Sequence, residues 1–264
     1  MTPQYDVALA DFGQGMSAWP MWGRLGWQEI KRRYRRTVIG PFWTTLSLGF
    51  FIFALGTVWA RLWNQDPKTF LPFLCAGMLP WAMVSTMMIE GCQTFISGAE
   101  VIKQLRFPYT ILSCTVVWRN VIVFLHNLLI FVAVGLYVGV PVTSATLLVV
   151  PGLALVCLNG VWAATLLGLL CARFRDIQQV VSSILQVALF ITPIFFEAKQ
   201  LGPQFARFVD FNPLFHYVDI VRSPLLGRWP AAWSWWATLS GTAAGWGITL
   251  WMFSRFRRRV PYWL

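Results

Sequence analysis

The chain has 264 residues, of which 57% are hydrophobic and 12% are charged, and its formal net charge is +11. Soluble domains carry roughly 25% charged residues, so the composition excludes an ordinary soluble protein and predicts an all-α integral membrane protein. The surplus Lys and Arg residues lie beside apolar runs, which is typical of membrane orientation, and no soluble region remains that would bind nucleic acid.

An interfacial amphipathic helix is predicted for residues 19–36. Its apolar face carries four residues at helical spacing: Gly23, Trp27, Ile30 and Tyr34. Such a helix is expected to lie in the cytoplasmic interface of the membrane. Residues 1–18 contain no Lys or Arg and no continuous apolar core, so we expect this region to stay attached and cytoplasmic rather than to act as a removable signal.

The interfacial helix ends in a basic collar, which we define as Lys31, Arg32, Arg33, Arg35 and Arg36. Lys and Arg remain on the cytoplasmic side of a bilayer, so the collar predicts an inside start and an outward first span. Two interpretations stay open. The collar either only anchors the helix, or it also binds an anionic lipid-linked headgroup.

Six transmembrane spans are predicted from apolar runs of about 20 residues or more, at about 38–60, 70–96, 107–137, 142–172, 177–196 and 229–254. A short turn at 139–144 separates the third and fourth spans, which should therefore be adjacent and antiparallel. This arrangement puts fourteen Lys and Arg residues inside and six outside, which favours cytoplasmic N- and C-termini. No repeat or linker divides the chain, so we expect 1–264 to form a single membrane domain.

The segment between spans two and three predicts a short amphipathic helix on the cytoplasmic side. Glu100 favours the N-terminal end of such a helix, and Lys103 and Arg106 favour its C-terminal end. The segment is either a docking helix for a soluble partner or a simple interfacial turn.

Polar side chains within the spans need protein or water as partners, because lipid cannot satisfy their hydrogen bonds. Glu90 in span two and Arg119 in span three predict either a structural ion pair or a transport site. Span five predicts contact with other helices, a subunit interface or a hydrated pathway, because it carries a polar stripe of Gln179, Ser182 or Ser183, and Gln186.

No nucleotide-binding or catalytic motif occurs in the sequence. The G-x-x-x-x-G-K-[ST] loop is absent, so any ATP must be hydrolysed by another protein. Carboxylates and histidines are not gathered as glycan-modifying or metal-dependent enzymes require. We therefore expect no catalytic residue, no metal ion and no cofactor on this chain.

The order of several short motifs is similar to that of one transporter family. These motifs are Arg35–Trp43, Val101–Pro108, Arg173–Ile177, Thr192–Phe196 and Asn212–Leu214. From about Trp22 to its end, the chain resembles the ABC-2 type permeases that export bacterial surface polysaccharides, namely O-antigen, capsule and teichoic acid.

The resemblance implies an ABC-2 type permease fold in a homodimer that forms a channel through the bacterial inner membrane. It also implies two separate ABC ATPase subunits, which bind ATP and Mg, and a polysaccharide cargo carried on undecaprenyl pyrophosphate, with O-antigen favoured over capsule and teichoic acid. By this resemblance, the ATPase-coupling helix comprises Glu100, Val101, Ile102, Lys103, Gln104 and Arg106.

The same resemblance implies roles for three further groups of residues. Residues 201–226 correspond to a periplasmic gate, and the pyrophosphate is expected on Arg32, Arg33, Arg35 and Arg36. Aromatic faces stack on sugars without requiring one glycan sequence. The expected channel lining is Phe50, Phe53, Trp59, Trp81, Gln179, Ser183, Gln186 and Phe190.

Two other functions stay open at this point. An ABC-2 exporter of drugs or other small hydrophobic compounds would share the architecture, and neighbouring glycosyltransferase genes would argue against it. A membrane enzyme that modifies lipid-linked sugars would work without an ATPase, so co-purification with a nucleotide-binding subunit separates it from a transporter.

Overall fold

The computed structural model describes residues 4–35, 39–40, 42–62, 64–197 and 209–264, and these ranges contain helices and no strands. The described α-helices are α1 (Tyr5–Ser17), α2 (Trp19–Tyr34), α3 (Phe42–Leu62), α4 (Pro67–Ser97), α5 (Ala99–Gln104), α6 (Thr110–Val138), α7 (Val149–Arg173), α8 (Ile177–Ile191), α9 (Pro213–Leu225), α10 (Ala232–Phe256) and α11 (Val260–Trp263). Short 3-10 helices at Ser144–Leu148 and Arg257–Arg259 precede α7 and α11.

Four helical segments among the described residues are long and apolar enough to cross a membrane: α3, α4, α6 and the continuous segment Ser144–Arg173. The predicted all-α membrane class is therefore confirmed. Helix α8 has 15 residues, or about 22 Å at the usual helical rise, which is less than the ~30 Å hydrocarbon core. Helix α10 has 25 residues, but its Trp, Gly, Ser and Thr content lowers its hydropathy. The count of six spans stays a prediction.

Helix α4 lies at the centre of the bundle and contacts α3, α6, α7, α8 and α9. Its most apolar window is 67% buried inside the subunit, compared with 17% for α3. Close packing against α7 depends on Gly91, where an added Cβ would lie 2.9 Å from the Cα of Ala164. Helix α4 thus forms the core, whereas α3 leaves most of its surface for lipid or another subunit.

The turn predicted between the third and fourth spans is confirmed. Helix α6 ends at Val138, and Gly139 follows with a φ of 81°, a left-handed conformation that glycine adopts at low cost. The Thr143 side chain then caps the next helical turn and donates a hydrogen bond to the carbonyl of Gly227 at 2.8 Å. This contact joins the α6–α7 connection to the segment after α9.

Helix α2 differs from the predicted pattern. Helix α2 packs on α6 through Trp22 and Gly26, and Ile30 is buried, whereas Trp27 is 48% exposed, so the face that contacts the bundle is offset from the predicted apolar face. Helix α9 begins at Pro213, where the Asn212 side chain accepts a hydrogen bond from the Leu214 N–H, and it includes Pro224 in its last turn.

Candidate functional site

Helix α5 confirms the short helix predicted between the second and third spans. Ile102 is buried at 4% exposure, in a cluster with Phe95, Tyr109 and Val260, and it anchors the helix to the bundle. The other side chains assigned to coupling are exposed: Glu100, Val101, Lys103, Gln104 and Arg106. One face of α5 is therefore fixed, and the opposite face presents charged, amide and aliphatic groups to a partner.

A groove of about 1010 Å³ lies beside α5, and we call it the α1–α5 groove. Its walls come from α1, from the connection between α5 and α6, and from the C-terminal segment. The lining includes Gln14, Lys103, Arg106, Arg258 and Tyr262. The whole lining contains four cationic side chains and one carboxylate, so the groove suits a partner surface that carries carboxylates.

Asp11 joins the three walls of the α1–α5 groove. Its Oδ1 accepts hydrogen bonds from the Thr110 backbone N–H at 3.0 Å and the Thr110 hydroxyl at 2.8 Å. Its Oδ2 accepts from the Tyr109 N–H at 3.0 Å and lies 2.7 Å from both Nε and Nη2 of Arg257. The Asp11 side chain is 1% exposed. It therefore caps the start of α6 from a distant part of the chain.

We expect Asp11→Ala to lower the free energy of unfolding by about 3 kcal/mol, because it leaves two backbone donors and the Arg257 guanidinium without their shared acceptor. Thermal unfolding in detergent micelles measures the change. Asp6→Ala is the matched control, since Asp6 is an exposed carboxylate on the same helix. Equal midpoints of thermal unfolding for Asp11→Ala and Asp6→Ala would contradict the role of Asp11 as a cap of α6.

An ion-pair network, which we define as Glu29, Arg33, Glu90 and Arg119, links α2 to α4 and α6. The Nε and Nη2 atoms of Arg119 donate to Glu90 Oε2 at 3.1 and 2.7 Å, and Nη1 donates to Glu29. Arg33 donates to Glu90 Oε1 at 3.0 Å. The structural pair expected for Glu90 and Arg119 is thus present, and two residues of α2 complete a charge-balanced set.

The network is partly shielded from solvent. The side chains of Glu90 and Arg119 are 14% and 15% exposed, compared with 52% for Arg33. Asn120 adds a hydrogen bond to Glu90 Oε2 at 2.8 Å. Two carboxylates and two guanidinium groups neutralise one another at the level where α2 meets the bundle. Among the described residues, no group of three or more His, Cys, Asp or Glu side chains is placed to hold a metal ion.

The basic collar is divided between two surroundings. Arg32 and Arg35 line a groove of about 720 Å³ together with Leu25, Gln28 and Lys31, and we call it the collar groove. Arg33 points instead to Glu90. Arg36 lies outside the described residues. Of the four arginines expected to bind a pyrophosphate, Arg32 and Arg35 are those that the structure brings together.

Most of the residues expected to line a channel are exposed on α3 or on α8, and we call the exposed sides of these two helices together the α3–α8 face. Phe50, Phe53 and Phe190 are 74%, 60% and 66% exposed. Gln179, Ser183 and Gln186 are also exposed, and they form the predicted polar stripe along α8. Exposed aromatic rings on α3 and exposed amide groups on α8 indicate surfaces that meet another subunit or a hydrated path.

The two tryptophans assigned to the channel differ from this pattern. Trp81 is 5% exposed and belongs to the core around α4, so it is not available on the subunit surface. Trp59 is half-buried and stacks on Phe195, with ring centroids 6.1 Å apart. Gln178, next to the stripe, forms a hydrogen bond with Gln93 and ties α8 to α4.

The expected gate region 201–226 is described from residue 209 onward, and residues 201–208 lie outside the described ranges. Helix α9 is held at both sides. Arg222 donates to the Pro193 carbonyl at 2.6 Å, and Ser234 at the start of α10 donates to Asp219 Oδ2 at 2.7 Å. Val218, Ile220 and Val221 are at most 1% exposed. Helix α9 is therefore a packed part of the bundle.

Asp11 and Glu29 were not predicted as site residues. Asp11 is an isolated carboxylate in a region whose only sequence signal was the absence of basic residues, and its partners lie about 100 and 246 positions away. Glu29 offers a weak signal, because it is the single acidic residue of α2 and lies four positions before Arg33. Neither signal identifies the partner on α6.

Comparison with known proteins agrees with this architecture. Residues 22–226 match the family model described as ABC-2 type transporter. The O-antigen export system permease protein RfbA of Myxococcus xanthus is 27% identical over 190 residues, which cover 71% of this chain and 73% of that protein. Two proteins of the same name from Klebsiella pneumoniae are 21% and 22% identical, with the same coverage. Since the family model covers well over half of its length, the chain belongs to the ABC-2 type transporter family and is a membrane transport component rather than an enzyme.

Proposed function

We propose that this chain is the transmembrane subunit of an ATP-driven exporter that moves polysaccharide linked to undecaprenyl pyrophosphate across the bacterial inner membrane. O-antigen is the first candidate cargo, and capsule or teichoic acid polysaccharides belong to the same class. The observation that carries this proposal is the agreement of three relatives, from two organisms, that are named O-antigen export permeases. The exposed aromatic and amide groups of the α3–α8 face support it, because they suit sugar rings and hydroxyls.

A strain that lacks this chain tests the proposal. We expect loss of surface polysaccharide together with accumulation of undecaprenyl-linked polysaccharide inside the cell, and restoration of both by the wild-type chain. Loss of surface polysaccharide without internal accumulation would indicate a biosynthetic role instead. Normal surface polysaccharide would contradict the proposal and favour an exporter of other compounds.

In the proposed complex, ATP and Mg bind to two separate ABC ATPase subunits, and this chain binds no cofactor. An ABC-2 permease works with an ATPase partner in the membrane, and this chain has no P-loop of its own. The exposed side of α5 and the α1–α5 groove are the proposed contact, with cationic Lys103 and Arg106 facing the partner. This assignment requires the six-span arrangement with cytoplasmic termini, in one domain over 1–264.

We further propose that two copies of this chain pair through the α3–α8 face. This face leaves large apolar side chains and the α8 polar stripe without cover in one subunit. A second copy would cover the apolar groups and leave the polar groups of both subunits along a shared channel. Residues 201–226 would form its periplasmic gate, with α9 as a fixed support.

Cysteine cross-linking checks the pairing. In a background without the five native cysteines, Ser183→Cys is expected to give a disulfide-linked dimer when membranes are oxidised. Trp236→Cys is the control, because Trp236 is 67% exposed but lies on α10, away from the α3–α8 face. A dimer from the control, with none from Ser183→Cys, would contradict the proposed interface.

The collar groove is the proposed site for the lipid pyrophosphate. Arginine presents planar paired donors to a phosphate, whereas lysine presents a point charge. We therefore expect Arg32→Lys and Arg35→Lys each to lower export by about tenfold, with normal expression and orientation. Export assays in cells measure the change. Arg24→Lys is the control on the same helix, outside the groove. Normal export by both groove variants would leave only the anchoring role.

A further inference from the structure

A second basic cleft lies far from the collar groove in sequence, between the C-terminal ends of α7 and α10. We call it the α7–α10 cleft. Its volume is about 330 Å³. Leu169, Leu170 and Met252 form an apolar floor, while Arg173 and Arg259 stand at its rim. Phe174, Phe256 and Trp263 complete the lining. This arrangement matches a lipid at a membrane interface: the apolar floor suits an acyl chain, and the cationic and aromatic rim suits an anionic headgroup.

Arg173 is held in place by aromatic rings. Its guanidinium carbon lies 5.1 Å from the ring centroid of Phe174 and 5.2 Å from that of Trp263. The side chain is exposed, and it takes part in none of the ion pairs formed by the described residues. Contact with ring faces orients a guanidinium group and leaves its N–H groups able to donate to a phosphate.

The charge around the cleft favours an anion. Arg173 ends α7 and Arg175 follows it, while Arg258 and Arg259 follow α10. All four are exposed. A carboxylate peptide would satisfy this charge but would leave the apolar floor uncovered, whereas a phospholipid matches both parts of the cleft.

We propose that the α7–α10 cleft binds an anionic phospholipid, with the headgroup phosphate on Arg173 and part of an acyl chain over Leu169, Leu170 and Met252. The site differs from the collar groove and binds a resident lipid rather than the cargo. It rests on the proposed arrangement in which α10 crosses the membrane and ends on the cytoplasmic side. Because α11 contacts both α5 and α7, a lipid here would steady the C-terminal segment beside the α1–α5 groove.

Native mass spectrometry of the full-length chain, released from nanodiscs that contain dioleoyl phosphatidylglycerol and dioleoyl phosphatidylcholine, tests this site. We expect the wild type to retain phosphatidylglycerol in preference to phosphatidylcholine. Arg173→Gln is expected to weaken this retention by about tenfold, because a charge-assisted phosphate contact is lost. Arg255→Gln is the matched control, since it removes an exposed arginine of the same helix ends that does not line the cleft.

A second variant and a soluble competitor complete the test. Arg173→Lys retains the charge and is expected to lose less binding than Arg173→Gln, which guards against a folding defect in the glutamine variant. Soluble glycerol phosphate is expected not to displace the lipid, because it lacks the acyl chain. The proposal is overturned if Arg173→Gln and Arg255→Gln behave alike, if both lipids are retained equally, or if glycerol phosphate competes. The measurement of lipid retention does not depend on polysaccharide export. The proposed lipid site can therefore fail while the proposed function stands, and the reverse is also true.

Discussion

Replacing Glu100 and Arg106 together by alanine is expected to uncouple ATP hydrolysis from polysaccharide export, so that export falls while hydrolysis by the complex continues. Both side chains are exposed on or beside α5, so their removal leaves the bundle intact. A permease without a P-loop can receive energy from ATP only through contact with its ATPase. Loss of a coupling contact of ordinary strength lowers coupled export by about 5-fold or more. Export per ATP hydrolysed, in reconstituted vesicles, is the quantity to measure.

Asp6→Ala combined with Arg24→Ala is the matched control for the coupling variant. It also removes one exposed carboxylate and one exposed guanidinium group, from α1 and α2, and neither residue lines the α1–α5 groove. We expect the control to export normally. An unchanged ratio of export to hydrolysis in the Glu100 and Arg106 variant would show that energy enters the permease elsewhere.

Glu90→Gln is expected to lower the free energy of unfolding by about 3 kcal/mol, the second large effect. The change removes the negative charge shared by Arg33, Arg119 and Asn120, and it replaces one of the two acceptor oxygens by an NH2 group that can only donate. Two guanidinium groups then face the single carboxylate of Glu29, and one positive charge is left without compensation at the junction of α2 with the bundle. The midpoint of thermal unfolding in detergent micelles measures the loss.

The double variant Glu90→Gln with Arg119→Gln separates charge imbalance from lost packing. It restores equal numbers of positive and negative groups in the network, so it should be less unstable than the sum of the two single variants predicts. If the changes in the free energy of unfolding of the two single variants add up to that of the double variant, Glu90 and Arg119 contribute independently. That result would contradict a coupled network.

Local patterns predicted the helices well. The apolar runs located α3, α4 and α6 to within a few residues, because a span in lipid must satisfy its backbone within one helix. The run predicted at 142–172 also contains α7, which is preceded by the 3-10 helix Ser144–Leu148. Helix α5 was also predictable, since its charges match the helix dipole at each end. These features depend only on neighbours in sequence.

Contacts between distant segments were not predictable in the same way. Glu90 and Arg119 were recognisable as partners, but Glu29 and Arg33 joined them only because Gly26 brings α2 close to Trp118 of α6. The role of Asp11 depends on the start of α6 and on Arg257, both far away in the chain. The residues near Asp11 in the sequence do not indicate partners that lie so far away in the chain.

The expected channel residues show the same limit. The resemblance to polysaccharide exporters implied aromatic residues along a channel, yet it did not give the direction of each side chain. Phe50 and Phe53 lie on the outer side of α3, whereas Trp81 fills the core between helices. Helical periodicity could not distinguish these cases, because α3 and α4 are apolar on nearly every side.

The most direct test of the proposed function is transport in inverted inner-membrane vesicles that contain this chain, its ATPase partner and undecaprenyl-linked polysaccharide on the outer, cytoplasmic leaflet. We expect addition of ATP and Mg to move the polysaccharide into the vesicle lumen, where it becomes protected from added glycosidase. Vesicles with ATPase but without this chain should show no protection. Protection without ATP, or none with the complete complex and ATP, would contradict an ATP-driven polysaccharide exporter.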